Sequence, residues 1–193
     1  MVRCAGMNGP NARQDPGNHP APRADGAGAA RVRGAVRGDL QAILDIYNAS
    51  IPLRIATADL EPQTMPAREK WWDDRDHARR PVMVAELDGI VAGWGAFTDF
   101  KARPAYAPTA EVSIYVRPEL GGRGIGSSLL DALLARTAEC RLDRIVALCL
   151  DHNAASLGLF RSRGFVDWGA MPDACEFDGV RRTVVILGKT VPG

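Results

Sequence analysis

The stretch "PELGGRGIGSSLLDALL", Pro118 to Leu134, places four glycines and an arginine in the six positions 121 to 126, directly ahead of a helical apolar pattern. Glycine weakens any regular element, so this cluster means that the backbone itself must touch something there. The helix reads from 125 to 139, with Ile125, Leu129, Leu130, Leu133 and Leu134 on one face. The run "TAEVSIYV" (109–116) precedes the loop and reads as a strand. A glycine-rich loop opening a helix is an anion site, because the first-turn amides are unpaired and the helix dipole adds partial positive charge. Two common anions are excluded. No Gly-Lys-Ser/Thr follows the glycines, so the nucleotide P-loop is absent. Ser127 stands where the dinucleotide fingerprint beginning at Gly122 needs a glycine. The loop suits a diphosphate of another kind.

Outside this unit, 193 residues are enough for one domain with a full core. The net charge of +1 removes the electrostatic case for nucleic acid or an anionic membrane surface. No apolar run is long enough to span a bilayer, and the N-terminus has no signal-peptide h-region. Cys4, Cys140, Cys149 and Cys175 are scattered, without metal-ligand spacing, and fit a reduced, cytoplasmic setting with no metal. Residues 1–30, rich in Gly, Pro, Ala and Asn, read as a disordered tail in which Met7 is an alternative start to Met1. Residues 31–190 read as the single domain.

Along that domain, 31–36 reads as a strand, "RGDLQAILDIYNAS" as a helix, 50–64 as loop and 65–80 as a second helix. "PVMVAEL" and "IVAGWGAF" meet at Asp88-Gly89, a strong hairpin signal. After the loop and helix come a buried strand (144–150), a helix (153–164) closing on Gly164, and a final strand (181–188). Trp94 and Trp168 read as core, Trp71 and Trp72 as core or dimer packing, and His152 as a loop residue. The order predicts a mixed α/β layer fold.

"VSIYVRPELGGRGIGSSLLDAL" resembles motif A of the GCN5-related N-acetyltransferases, Arg/Gln-x-x-Gly-x-Gly/Ala, and "DHNAASLGLFRSRGF" resembles the helix that follows it in that family. "IYNASI", "KARPAYAPTAEVSIYV" and "HNAASLGLF" are similar to the phosphinothricin acetyltransferase-like group. The resemblance implies a mostly antiparallel central sheet with helices on both faces. It also implies acetyl-CoA as cosubstrate, a small amine such as an L-amino acid or its analogue as acceptor, and a homodimer. By the same resemblance, the backbone of Ile114, Tyr115 and Val116 and the side chain of Asn153 would meet the pantetheine arm. The segment Gly122, Arg123, Gly124, Ile125, Gly126 and Ser127 would hold the pyrophosphate. Gly121 departs from the pattern, replacing Arg or Gln, which implies weaker anchoring rather than loss of the site.

Attack on a thioester needs a neutral amine, and a free amine is mostly protonated at neutral pH. Strand alternation puts Glu111, Ser113 and Tyr115 on the face opposite Val112, Ile114 and Val116. The apolar set reads as the core face, which leaves Glu111 on the side open to substrate as the expected base; the resembling enzymes carry a glutamate at this place in "TAE". Phe160 occupies the position of the tyrosine that often protonates the leaving thiolate, so Tyr106 or water would have to replace it. Lys101, Arg103 and Tyr106 in "FKARPAY" are the expected substrate contacts, the two cations clamping a carboxylate. The other readings are a protein N-terminal or lysine acetyltransferase, and a non-catalytic acyl-CoA-binding regulator. "IPLRIATADLEP" differs from what a dedicated herbicide-resistance enzyme would carry.

Overall fold

The computed structural model describes residues 30–192, so the tail expected over 1–30 lies outside the described residues apart from its last one. The chain runs β1 (Arg31–Gly34), α1 (Leu40–Ser50), α2 (Met65–Asp73), β2 (Val82–Leu87), β3 (Ile90–Asp99) and β4 (Thr109–Val116). It continues through α3 (Ile125–Leu134), β5 (Arg144–Leu150), α4 (Ala154–Ser162), β6 (Val166–Phe177) and β7 (Val180–Thr190). The strands form one sheet in the order β1-β2-β3-β4-β5-β7-β6. Every neighbouring pair is antiparallel except β4 and β5. No helix among the described residues is long and apolar enough to cross a membrane.

Local chemistry accounts for most element ends. Asp88 (φ 51°) and Gly89 (φ 80°) both take the left-handed conformation that a two-residue hairpin turn demands. Thr64 caps α2 by accepting from Ala67 N, with Pro66 in the first turn. α2 stops at Asp73 rather than near 80, because the Asp76 carboxylate captures the amides of Ala78 and Arg79 at 3.1 and 3.2 Å. α3 stops at Leu134 rather than 139, where Arg136 N and Thr137 N bond only three residues back, to Leu133 and Leu134. Asn153 caps α4 through Ser156 N, and Gly164 (φ 78°) follows the helix C-terminus.

The 12-residue β6 carries no alternation that would announce it: Gly169 and Pro172 interrupt it, and its pairing with β7 slips twice. Trp168, expected in the core, lies on this strand and is 45% exposed. Its indole rests on Gly188, where an added Cβ would come within 1.9 Å of the ring.

The sheet is covered on both faces. On one, Leu129, Leu130 and Leu133 of α3 and Phe160 of α4 pack with Phe97, Ile145 and Leu187. On the other, Ile43 and Ile46 of α1 pack with Val82, Val84, Trp94 and Ala96, joined by Trp71, Trp72 and Tyr115. Each such side chain contributes about 1.5–3 kcal/mol when fully buried. α3 approaches β3 where Gly95 leaves room: a Cβ there would sit 2.5 Å from Ile114 Cδ1 and 3.1 Å from Leu133 Cδ1. Gly95→Val should lower stability by about 1–3 kcal/mol, read as a fall in the urea midpoint at unchanged slope. An unchanged midpoint would contradict this close seating of α3.

Candidate functional site

The two parallel strands separate part-way along. β4 pairs with β5 from Thr109↔Arg144 to Glu111↔Val146 and no further, although β4 runs on to Val116 and β5 to Leu150. Beyond Glu111, β4 pairs with β3 alone, so its other backbone edge is free to take an extended ligand strand-fashion. A groove of about 710 Å³ opens along Ile114, Tyr115 and Val116 and continues over the glycine loop to the start of α3. A second cavity of about 300 Å³ lies between the diverging strands, walled by Glu111, Ile114, Cys149, Asn153 and Phe160. The two share Ile55, Ala56, Ile114, Tyr115, Asn153 and Ser156.

At the loop, Gly122 (φ 77°) and Gly124 (φ 78°) are left-handed, and a Cβ on either would meet open space. Backbone conformation, not crowding, is what calls for glycine there. Among the described residues, no acceptor receives a hydrogen bond from the N–H of Gly122, Arg123, Gly124, Ile125, Gly126 or Ser127. A run of free amides at the start of an amphipathic helix has the donor pattern a diphosphate needs. Ile125 offers only its backbone, since its side chain is buried under the sheet. Arg123 is exposed beside the loop. Gly121 has φ −58°, so its glycine is not conformationally required.

Asn153 does local work first. Its Oδ1 accepts from Ser156 N at 3.0 Å, and its Nδ2 donates to Ile55 O at 2.7 Å. His152 Nε2 lies 2.9 Å from Arg54 O, so the pair ties the 54–56 segment along the groove. A ligand contact at Asn153 would use its remaining lone pair or proton.

Glu111, Ser113 and Tyr115 also line a third cavity, of about 290 Å³. The sequence suggests that this face is open; in the structure α1 and α2 roof it. Tyr47, Trp71 and Trp94 form its walls together with Arg68. Trp94 stacks on Tyr115 at 4.8 Å between ring centroids, and Tyr47 meets Tyr115 edge-on at 5.0 Å. Burial pushes the Tyr115 hydroxyl above its ordinary pKa. Glu111 thus stands where the cavity between the strands meets the aromatic one. Burial raises the pKa of its carboxyl, and nearby Lys101 opposes the shift. No described residue hydrogen-bonds to that carboxylate; only its backbone oxygen accepts, from Thr98 Oγ1 at 3.5 Å. A half-buried carboxylate with raised pKa and no partner has the chemistry to accept a proton.

The other expected residues lie farther out. Lys101 and Arg103 line a separate cavity of about 560 Å³ with Arg75, Arg79 and Arg80, which shares Trp71 and Thr98 with the aromatic one. Tyr106 is 41% exposed, packs edge-on to Phe100 at 5.8 Å, and is not among the residues lining any of these cavities. Phe160 is buried against Phe165, so no hydroxyl stands at that place. Cys149 also lines the cavity between the strands, its thiol pushed up to about 11 by burial. The sequence reading missed Arg68. Its signal is a cation three residues before Trp71, on the inward side of α2.

Residues 40–165 match the acetyltransferase (GNAT) family. The chain is 42% identical over 159 residues to the Bacillus subtilis (strain 168) protein YwnH, covering 82% of this chain and 97% of that one. The name of that protein assigns it, provisionally, phosphinothricin acetyltransferase activity. It is 36% identical over 145 residues to the L-methionine sulfoximine/L-methionine sulfone acetyltransferase of Pseudomonas aeruginosa PAO1, covering 75% of this chain and 84% of the relative. A phosphinothricin acetyltransferase from Sinorhizobium meliloti, solved with AcCoA, superposes with a TM-score of 0.80 at 28% identity, covering 84% and 88% of the two chains.

Proposed function

This chain belongs to the acetyltransferase (GNAT) family, and on that premise we propose that it moves the acetyl group of acetyl-CoA to the amino group of a small L-amino acid or amino-acid analogue. The observation that carries this reading is the position of Glu111, on the wall between the groove-side cavity and an aromatic cavity of small-molecule size. Acetyl-CoA supplies an activated thioester. The amides of residues 122–127 hold the pyrophosphate with Arg123 beside it, and the free edge at Ile114–Val116 takes the pantetheine amides with Asn153. Glu111 accepts the ammonium proton, directly or through a water. As the nitrogen bonds to the acetyl carbon and the C–S bond breaks, the nitrogen's second proton passes to the departing thiolate, directly or through water, with no tyrosine at position 160 to relay it. CoA thiolate is a tolerable leaving group near neutral pH, so that absence is compatible with turnover.

The relatives named for phosphinothricin and for methionine sulfoximine or sulfone support amino-acid-like acceptors. The 290 Å³ volume of the aromatic cavity suits such acceptors. We place the enzyme in the cytoplasm on the support of Cys140, Cys149 and Cys175, all free thiols. We propose a homodimer, which exposed Val166, Trp168, Met171 and Val180 on the β6–β7 edge support.

A thiol-release screen with acetyl-CoA against amino acids, polyamines and an N-terminal peptide tests the reading. Turnover confined to small amino acids supports it, and turnover of the peptide alone contradicts it. Saturating acetyl-CoA should also raise the melting temperature. At 100 times Kd the added stability is about 2.7 kcal/mol, or roughly 5–10 °C for a chain of this size. No shift would contradict the groove assignment.

A further inference from the structure

Arg68 is only 6% exposed, yet its guanidinium makes no hydrogen bond and no ion pair within 4.0 Å among the described residues. It sits among rings instead, 4.8 Å from the Tyr47 centroid, 4.7 Å from Trp71 and 5.5 Å from Trp94. The neighbouring carboxylate is engaged elsewhere: Asp59 accepts from the Tyr47 hydroxyl at 2.7 Å and from Gln63 Nε2 at 2.6 Å. Ring faces recover part of the lost hydration of a cation, but Nε is buried without a partner, and the two terminal nitrogens bond to no described residue and are left for a ligand. The other buried guanidinium, Arg80, has what Arg68 lacks, an Asp99 carboxylate at 2.7 Å and backbone carbonyls. Arg68 borders the same 290 Å³ cavity as Glu111. One small cavity therefore carries one unpaired cation and one unpaired anion.

We propose that Arg68 binds the substrate's carboxylate, so that the acceptor is held as a zwitterion, carboxylate on Arg68 and amine toward Glu111. The inference deepens the N-acetyltransferase reading and rests on it for the chemistry, though not for the binding. Lys101 and Arg103, in the neighbouring cavity, are then free of this task. The aromatic walls take an uncharged, compact side chain. A planar fork suits a carboxylate better than a point charge does, so lysine at position 68 should restore little.

The test uses L-methionine sulfone and the amine left when its carboxylate is removed, on the full chain and its Arg68→Gln and Arg68→Lys variants. Wild type should prefer the amino acid by on the order of 10²-fold or more in kcat/KM, since a buried donor left unpaired penalises the analogue. Arg68→Gln should erase that preference by raising KM for the amino acid, because carboxylate binding is shared by ground and transition states. An acetyl-CoA melting shift equal to wild type certifies that the variants are folded; if they are not, the wild-type preference alone decides. Equal use of amine and amino acid by wild type overturns the inference and leaves the acetyltransferase reading standing. So does a preference that survives Arg68→Gln. Calorimetry of L-methionine sulfone on the CoA-loaded protein separates the two failures. Arg68-dependent binding without any turnover supports the inference and sinks the reaction, whereas no binding with no turnover of either compound overturns both.

Discussion

Glu111→Gln should lower kcat by about 10²–10⁴-fold near neutral pH while leaving acetyl-CoA affinity within error. Glutamine keeps the shape and reach of the side chain but cannot take a proton. The free loop amides and the free β4 edge lie along the groove, away from the cavity wall that Glu111 forms, so cosubstrate binding there should not register the change. Stability should move the other way. A carboxyl whose folded pKa is raised contributes stability below its unfolded pKa and loses it as pH rises through the folded one. The ionised Glu111 is therefore a burden at pH 7, and burial is its cause. The variant should melt at or above the wild-type temperature at pH 7, the gap closing below the ordinary glutamate range. A markedly lower melting point would show that the carboxylate holds structure rather than awaiting a proton.

Gly124→Val should abolish the acetyl-CoA melting shift and weaken binding by on the order of 10²-fold or more, the loss of two or more charge-assisted bonds. A β-branched residue is strongly disfavoured at φ 78°, so the loop must leave the conformation that turns its amides outward. The change costs no core packing, because a Cβ at 124 meets nothing within 4 Å. Calorimetry with CoA isolates binding from chemistry. Wild-type affinity in the variant would show that the anion sits elsewhere.

What was legible in the sequence is what local pattern decides. The β4–loop–α3 unit, the Asp88-Gly89 turn and the alternation that sets Glu111 apart from Val112 all follow from spacing and special residues. β6 escaped because an exposed edge strand with Gly169, Pro172 and two register slips carries no alternating apolar signal. The ends of α2 and α3 were misjudged because Asp76 and Thr137 offer the backbone local partners that periodicity does not weigh. Arg68 escaped for a different reason. It matters only because α2 crosses the sheet over Trp94 and Tyr115 and carries the cation to the cavity of Glu111, a convergence of segments far apart in sequence. Lys101 and Arg103 sit near Glu111 in sequence, but the loop that joins β3 and β4 carries them to the cavity next door.

The central claim is that Glu111 relieves the amine of its proton, and the pH dependence of kcat/KM from pH 6 to 10 tests it most directly. With a base in place, wild type should depend on pH much less steeply than the variant across this range. Glu111→Gln must wait for amine that arrives already neutral, so its rate should climb about tenfold per pH unit toward the amine's own pKa. The deficit should therefore shrink steadily with pH. A deficit that stays constant into the alkaline range would make Glu111 a substrate-positioning group, and rates matching wild type near neutral pH would assign the proton to another residue altogether.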